Sequence, residues 1–224
     1  MNDNMTICPW SNFTPGYFPI CEEALCAWIK QPANVYSNLL FLIVGLYLFL
    51  LFIQKKSSHG LILGMCILLI GTASALAHSS STKLFGFFDF AAIFSVFSYY
   101  AAINTKYFYK NIKLVQTALI YFFISVIILY FYNSLREIIF ALFIIGLLFS
   151  EYKILNLQKK SFFIPSYKKV IILFFIGVIA LTLDAKKIIC DPKNHYLQLH
   201  ALWHICNAFS LYYLTRHLDQ HRPV

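Results

Sequence analysis

Charge is what this sequence has least of. Only 18 Lys plus Arg and 9 Asp plus Glu occur among 224 residues, 12% in all, against about 25% in an ordinary soluble domain. So few charges cannot cover the surface of a water-soluble globule. The 60% apolar content excludes a disordered chain, whose mark is low hydrophobicity. Cysteine is sparse too, and six in 224 residues exclude a disulfide-stapled miniprotein. There is no internal repeat, no low-complexity tract and no second domain, and residues 1–34 lack the basic start, apolar stretch and small-residue cleavage site of a secretory signal.

What the chain has in abundance is long apolar runs bounded by charge. A bilayer core about 30 Å thick needs about 20 mostly apolar residues per helix. Seven such runs lie at 35–54, 61–80, 84–103, 114–132, 136–152, 169–185 and 197–216. Barrel strands would alternate apolar and polar residues, whereas Leu39 to Phe52 is apolar on all sides. The expected fold is an all-α membrane protein: a seven-transmembrane helix bundle over 35–216, preceded by a polar segment (1–34) and followed by a short tail (217–224).

Orientation follows from the basic residues, which are retained in cytoplasmic loops. Loops one, three and five and the tail hold twelve Lys and Arg, and the other side holds six (Lys30, Lys83, Arg136, Lys186, Lys187 and Lys193). That split predicts an N-terminus outside or lumenal and a C-terminus in the cytosol, in a bacterial cytoplasmic membrane or the ER or Golgi. The formal net charge of +9 is spread over both faces, so it reads as topology and contact with anionic lipid, with no nucleic-acid partner.

Ionisable groups within membrane helices are costly and mark function. His59, His195, His217 and His221 fall in predicted loops or tail and are expected to be solvated. His78 near the end of helix two, and His200 with His204 near the start of helix seven, fall at one depth towards the outer face. The i,i+4 spacing of His200 and His204 puts both rings on one helix face about 6 Å apart. Ser74 and His78 repeat that spacing, and Asp89 follows eleven residues later at the start of helix three. Taken singly, Ser74 also reads as a small residue bonding back to its own helix, and Asp89 as a helix-end residue at the interface. Together the five describe a catalytic zinc site with three imidazole ligands and a fourth position for water.

At these residues the chain resembles the alkaline ceramidase family, within the wider group of seven-helix membrane hydrolases that includes the progestin and adiponectin receptors. The matching pieces are Cys21-Glu22-Glu23, Asn34-Val35-Tyr36-Ser37-Asn38, Ser74-x-x-x-His78 with Asp89, and His200-Ala201-Leu202-Trp203-His204, in order along nearly the whole chain. The resemblance implies zinc ligands His78, His200 and His204, a catalytic carboxylate at Asp89, a site serine at Ser74, and hydrolysis of the fatty amide of a ceramide-like lipid. It also implies a disulfide between the N-terminal segment and the loop before helix seven, Cys21 to Cys190, while Cys66 and Cys206 read as small apolar fillers within helices.

The family's helix-three Asp is commonly followed by Glu and soon Pro, where this chain reads Asp89-Phe90-Ala91-Ala92. Its N-terminal calcium site in animal members is matched by Glu22, but Pro19, Ile20, Ala24 and Gln31 replace the other partners. Glu22 and Glu23 are therefore expected to be solvated or to pair with Lys30, without calcium. Asp184 is open to two readings, orienting a ligand ring or standing solvated at a helix end. Acyl chains are expected to lie among Phe85, Phe88 and Trp203. A zinc hydrolase of another lipid amide or ester, and a non-catalytic receptor-like protein with structural zinc, stay open as alternatives.

Overall fold

The computed structural model describes residues 8–16 and 18–222. It is 74% helical, with no strand among the described residues. Seven long helices follow one another: α1 (Pro32–Gln54), α2 (Ser58–Ser80), α3 (Lys83–Phe108), α4 (Leu114–Phe131), α5 (Arg136–Leu157), α6 (Pro165–Ala185) and α7 (Leu199–His221). Helix α1 is interrupted at Asn38, between stretches Pro32–Ser37 and Leu39–Gln54. Each helix falls on one of the seven apolar runs.

Helices α1 to α5 are each long and apolar enough to cross a membrane. Large apolar side chains such as Ile43, Leu142 and Phe149 stand exposed on their outward faces. Surfaces of this kind suit lipid and not water, and the chain is a multi-pass membrane protein. Helices α6 and α7 fall outside that group. For α7 the reason is visible in the packing: it lies against α6, α1 and α2, and its polar residues His204, Ser210, Thr215 and His217 are buried between them.

Small residues set the close approach of α1 and α2. A Cβ on Gly45 would lie 2.8 Å from Leu68 Cγ, and one on Gly64 would lie 2.9 Å from the backbone nitrogen of Phe49, so only glycine fits at either point of the crossing. The turn from α2 to α3 is equally tight. Ser81 adopts the left-handed conformation (φ 51°), and Thr82 caps α3 by accepting from the Phe85 amide. This two-residue reversal sets the last turns of α2 beside the first turns of α3.

The N-terminal segment lies across this end of the bundle. Gly16 and Lys30 donate to the carbonyls of Ser81 and Ser79, and Glu23 donates to that of Pro192 in the loop before α7. Disulfides join Cys8 to Cys26 and Cys21 to Cys190. The second is the bridge the resemblance implied, and the first was not anticipated. Cys66 and Cys206 are free thiols within helices.

The loops and helix ends correct the sequence reading. α7 does not stop at 216 but runs to His221, and none of the four histidines expected in solvent stands free in it. His59 meets the Tyr99 hydroxyl at 2.6 Å, His195 donates to Glu22, and His221 lies 3.2 Å from Lys160 Nζ. His217 is fully buried, donating through Nε2 to Glu151 at 2.9 Å and accepting from Ser166 at Nδ1. Glu151, also fully buried, accepts in addition from Arg222 at 2.8 Å and Tyr100 at 3.0 Å. One carboxylate thus ties together α3, α5, α7 and the chain just beyond it. Removing one member of a buried ion pair leaves the other charge uncompensated, at a cost of about 3–5 kcal/mol. Glu151→Ala is therefore expected to lower the thermal unfolding midpoint of the detergent-solubilised protein markedly, whereas Glu23→Ala, which removes an exposed carboxylate, leaves it unchanged.

Candidate metal centre

The last turn of α2 and the first turn of α7 meet beneath the N-terminal segment, and there the three predicted imidazoles converge. Ring centroids are 4.8 Å apart for His78 and His200, 5.1 Å for His78 and His204, and 4.7 Å for His200 and His204. One ring nitrogen from each lies within 4.8 Å of the others. His78 and His204 are buried, and His200 is partly so.

The surroundings determine which nitrogens are free. His78 Nδ1 lies 2.8 Å from Gln31 Oε1, and the orientation of that amide is set by its Nε2 donating to the Glu22 carbonyl. Oε1 can only accept, so Nδ1 carries the proton and Nε2 keeps its lone pair. For His204 a serine makes the same selection. Ser37 Oγ spends its single proton on the Asn34 carbonyl at 2.9 Å, so at 2.8 Å it must accept from His204 Nδ1. Both rings are therefore held as tautomers with Nε2 available as a ligand, the arrangement that partners of metal-binding histidines impose. His200 Nδ1 is buried with no hydrogen-bond partner. Three neutral nitrogen donors, two with fixed tautomers and one with an orphaned ring atom, are a donor set that fits zinc.

Ser74 and Asp89 lie on the two helices joined at this end of the bundle, Ser74 on α2 and Asp89 in the second turn of α3. Ser74 is on the His78 face of α2, one turn deeper, and its side chain lies within interaction range of the Asp89 carboxylate on α3. Arg136, at the start of α5, lies within electrostatic reach of the same carboxylate and covers the Phe90 ring at 4.9 Å. The chain thus brings the three predicted imidazoles into one cluster, and sets Ser74 of α2 opposite Asp89 of α3.

Other expectations change. Glu22 is buried and does not pair with Lys30. Its oxygens accept from the amides of Ala33 and Asn34, at 2.9 and 3.1 Å, and from His195. It serves as a distant cap on the α1 N-terminus, where a negative charge is favourable. Asp184 is fully buried and fits neither reading given above: it accepts from the backbone amides of Cys21 at 2.9 Å and His200 at 3.3 Å. It joins the start of α7 to the N-terminal segment beside the Cys21–Cys190 bridge. Of the residues expected to line an acyl cavity, Phe88 is exposed beside Phe87, Phe85 meets Trp10, and Trp203 lies against Phe140 and Phe174.

Sequence reasoning missed Gln31 and Ser37 as ring partners. Ser37 lies within a motif already singled out, one step before the break in α1 at Asn38. Gln31 was read only as the loss of an acidic residue.

Residues 20–222, nearly the whole chain, match the family model described as Ceramidase. The chain belongs to the ceramidase family. No curated protein gives a significant match. Membership of the ceramidase family makes the chain a hydrolase of lipid amides. The imidazole cluster, at the junction of two segments far apart in that match, is the site on which such chemistry can be built.

Proposed function

We propose that this ceramidase-family protein cleaves the amide of ceramide to a fatty acid and a sphingoid base, at a zinc ion held by His78, His200 and His204. The observation that carries the reading is the tautomer selection at His78 and His204, which frees two buried Nε2 lone pairs towards a common centre. Zinc bound there supplies a Lewis acid and lowers the pKa of water to about 7.

The chain's own groups do the rest. Asp89 accepts the proton given up by the attacking water and delivers it to the departing amine nitrogen, so that amide and water become carboxylic acid and amine without net proton change. Ser74 holds Asp89 in position through its hydroxyl, a role the contact between them favours over donation to the oxyanion. Gln31 and Ser37 fix the ligand rings from behind. Glu22 is spent on the α1 N-terminus and on His195, so the proposal assigns it no calcium.

In this reading all seven helices cross the membrane, as a catalytic bundle over 35–216 between an extracytoplasmic segment, 1–34, and a cytosolic end. The two disulfides at the N-terminal end support the orientation, because such bonds persist outside the cytosol.

The test is a substrate panel. The purified protein is incubated with ceramides, acyl-homoserine lactones and phospholipids, and released fatty acid is measured. Release from ceramides alone is expected. Release from another amide or ester in their place would reassign the substrate, and no release from any would favour a receptor-like protein.

A further inference from the structure

At the end of the bundle opposite the imidazole cluster, a cavity of ≈ 470 Å³ opens between α2, α3 and α4. It is lined by Ser58, His59 and Ile62 of α2, Tyr99 and Lys106 of α3, and Lys113, Leu114, Val115 and Gln116 at the start of α4. No Asp or Glu is among them. Neither lysine has a carboxylate within ion-pair distance among the described residues.

The backbone adds to the positive field. α2 and α4 both begin at this cavity, neither start carries a side-chain cap, and neither has an acidic residue in its first turn. Two helix N-termini and two lysines therefore border one open cavity, and each of these elements attracts an anion. A stripe on α4 shows which kind. Val115, Leu119 and Phe123 follow one another at i,i+4 and are 53%, 49% and 57% exposed, forming an apolar track that leads away from the cavity mouth along the membrane-facing side. A free anion has no use for such a track, but an acyl chain has.

We propose that this cavity binds the phosphate of an anionic phospholipid, held by Lys106, Lys113 and the first-turn amides of α2 and α4, with an acyl chain along Val115, Leu119 and Phe123. The site lies on the side predicted to be cytosolic, where anionic lipids are recognised by basic pockets between helices. It is separate from the hydrolytic centre, and its lipid is a bound ligand rather than a substrate.

Native mass spectrometry of the full chain in neutral detergent tests this, with dioleoyl phosphatidylglycerol, dioleoyl phosphatidylcholine and inorganic phosphate as probes. Phosphatidylglycerol is expected to be retained about tenfold more than phosphatidylcholine. Lys106→Gln with Lys113→Gln is expected to remove that preference, whereas Lys159→Gln with Lys168→Gln, which deletes the same charge at exposed positions outside the cavity lining, keeps it. Should the double variant not fold, Lys113→Gln alone, at an exposed position, should lower retention about threefold. Equal retention of the two lipids, or equal loss in both double variants, overturns the proposal. Displacement of phosphatidylglycerol by inorganic phosphate at similar concentration overturns the lipid assignment in favour of a soluble anion.

Discussion

Asp89→Asn is expected to lower amide hydrolysis by about 10²–10⁴-fold, the usual worth of a positioned general base, while stoichiometric zinc stays bound. The substitution keeps shape and volume. It also keeps an oxygen that can accept from Ser74, so the side chain stays in place and only its capacity to take a proton is lost. The double readout separates two roles that activity alone would merge. Turnover and metal content measured on one preparation should part company, because among the described residues the nitrogens close enough to share a metal belong to His78, His200 and His204 and Asp89 is not in that group. Loss of zinc together with activity would make Asp89 a ligand and leave the reaction without its proposed base.

His200→Ala is expected to do what Asp89→Asn does not: to lower zinc affinity by more than the roughly 10–100-fold typical of an outer partner, and to bring hydrolysis to background. His200 is the proposed ligand whose assignment leans least on its neighbours. Its Nδ1 has no partner, while those of His78 and His204 are fixed by Gln31 and Ser37. The comparison is His217→Ala, which removes another buried imidazole from the same helix, seventeen residues on. That variant is expected to lose stability, through Glu151, and to keep its zinc. Zinc content by mass spectrometry and fatty acid release at saturating lipid check both. Unchanged turnover in His200→Ala would refute its role.

Much of this was legible in the sequence because lipid leaves few choices. Backbone groups within a bilayer must be satisfied inside the segment, so long apolar runs become helices, and all seven did. The i,i+4 spacing of His200 and His204 survives because it is a property of one helix. The reversal between helices two and three is local as well: a left-handed Ser81 and a capping Thr82 turn the chain in two residues.

What escaped was polar and either irregular or mistaken for a boundary. Gln31 and Ser37 belong to no periodic pattern, and their role depends on how the N-terminal segment lies over α2 and α7. Asp184 looked like a solvated helix-end charge or a partner of a ligand ring, and Glu22 like a solvated charge or a partner of Lys30, whereas backbone amides from distant segments satisfy both. Glu151 had a usable signal, a carboxylate following thirteen uncharged residues of an apolar run, which in a membrane is an expensive placement. Its partner His217 was hidden by ending the last helix five residues early.

Metal analysis of the purified wild-type chain tests the central claim most directly. One zinc per chain is predicted, removed by a strong chelator together with hydrolysis and restored with it when zinc is returned. A chain that hydrolyses its lipid with no stoichiometric transition metal bound would contradict the account.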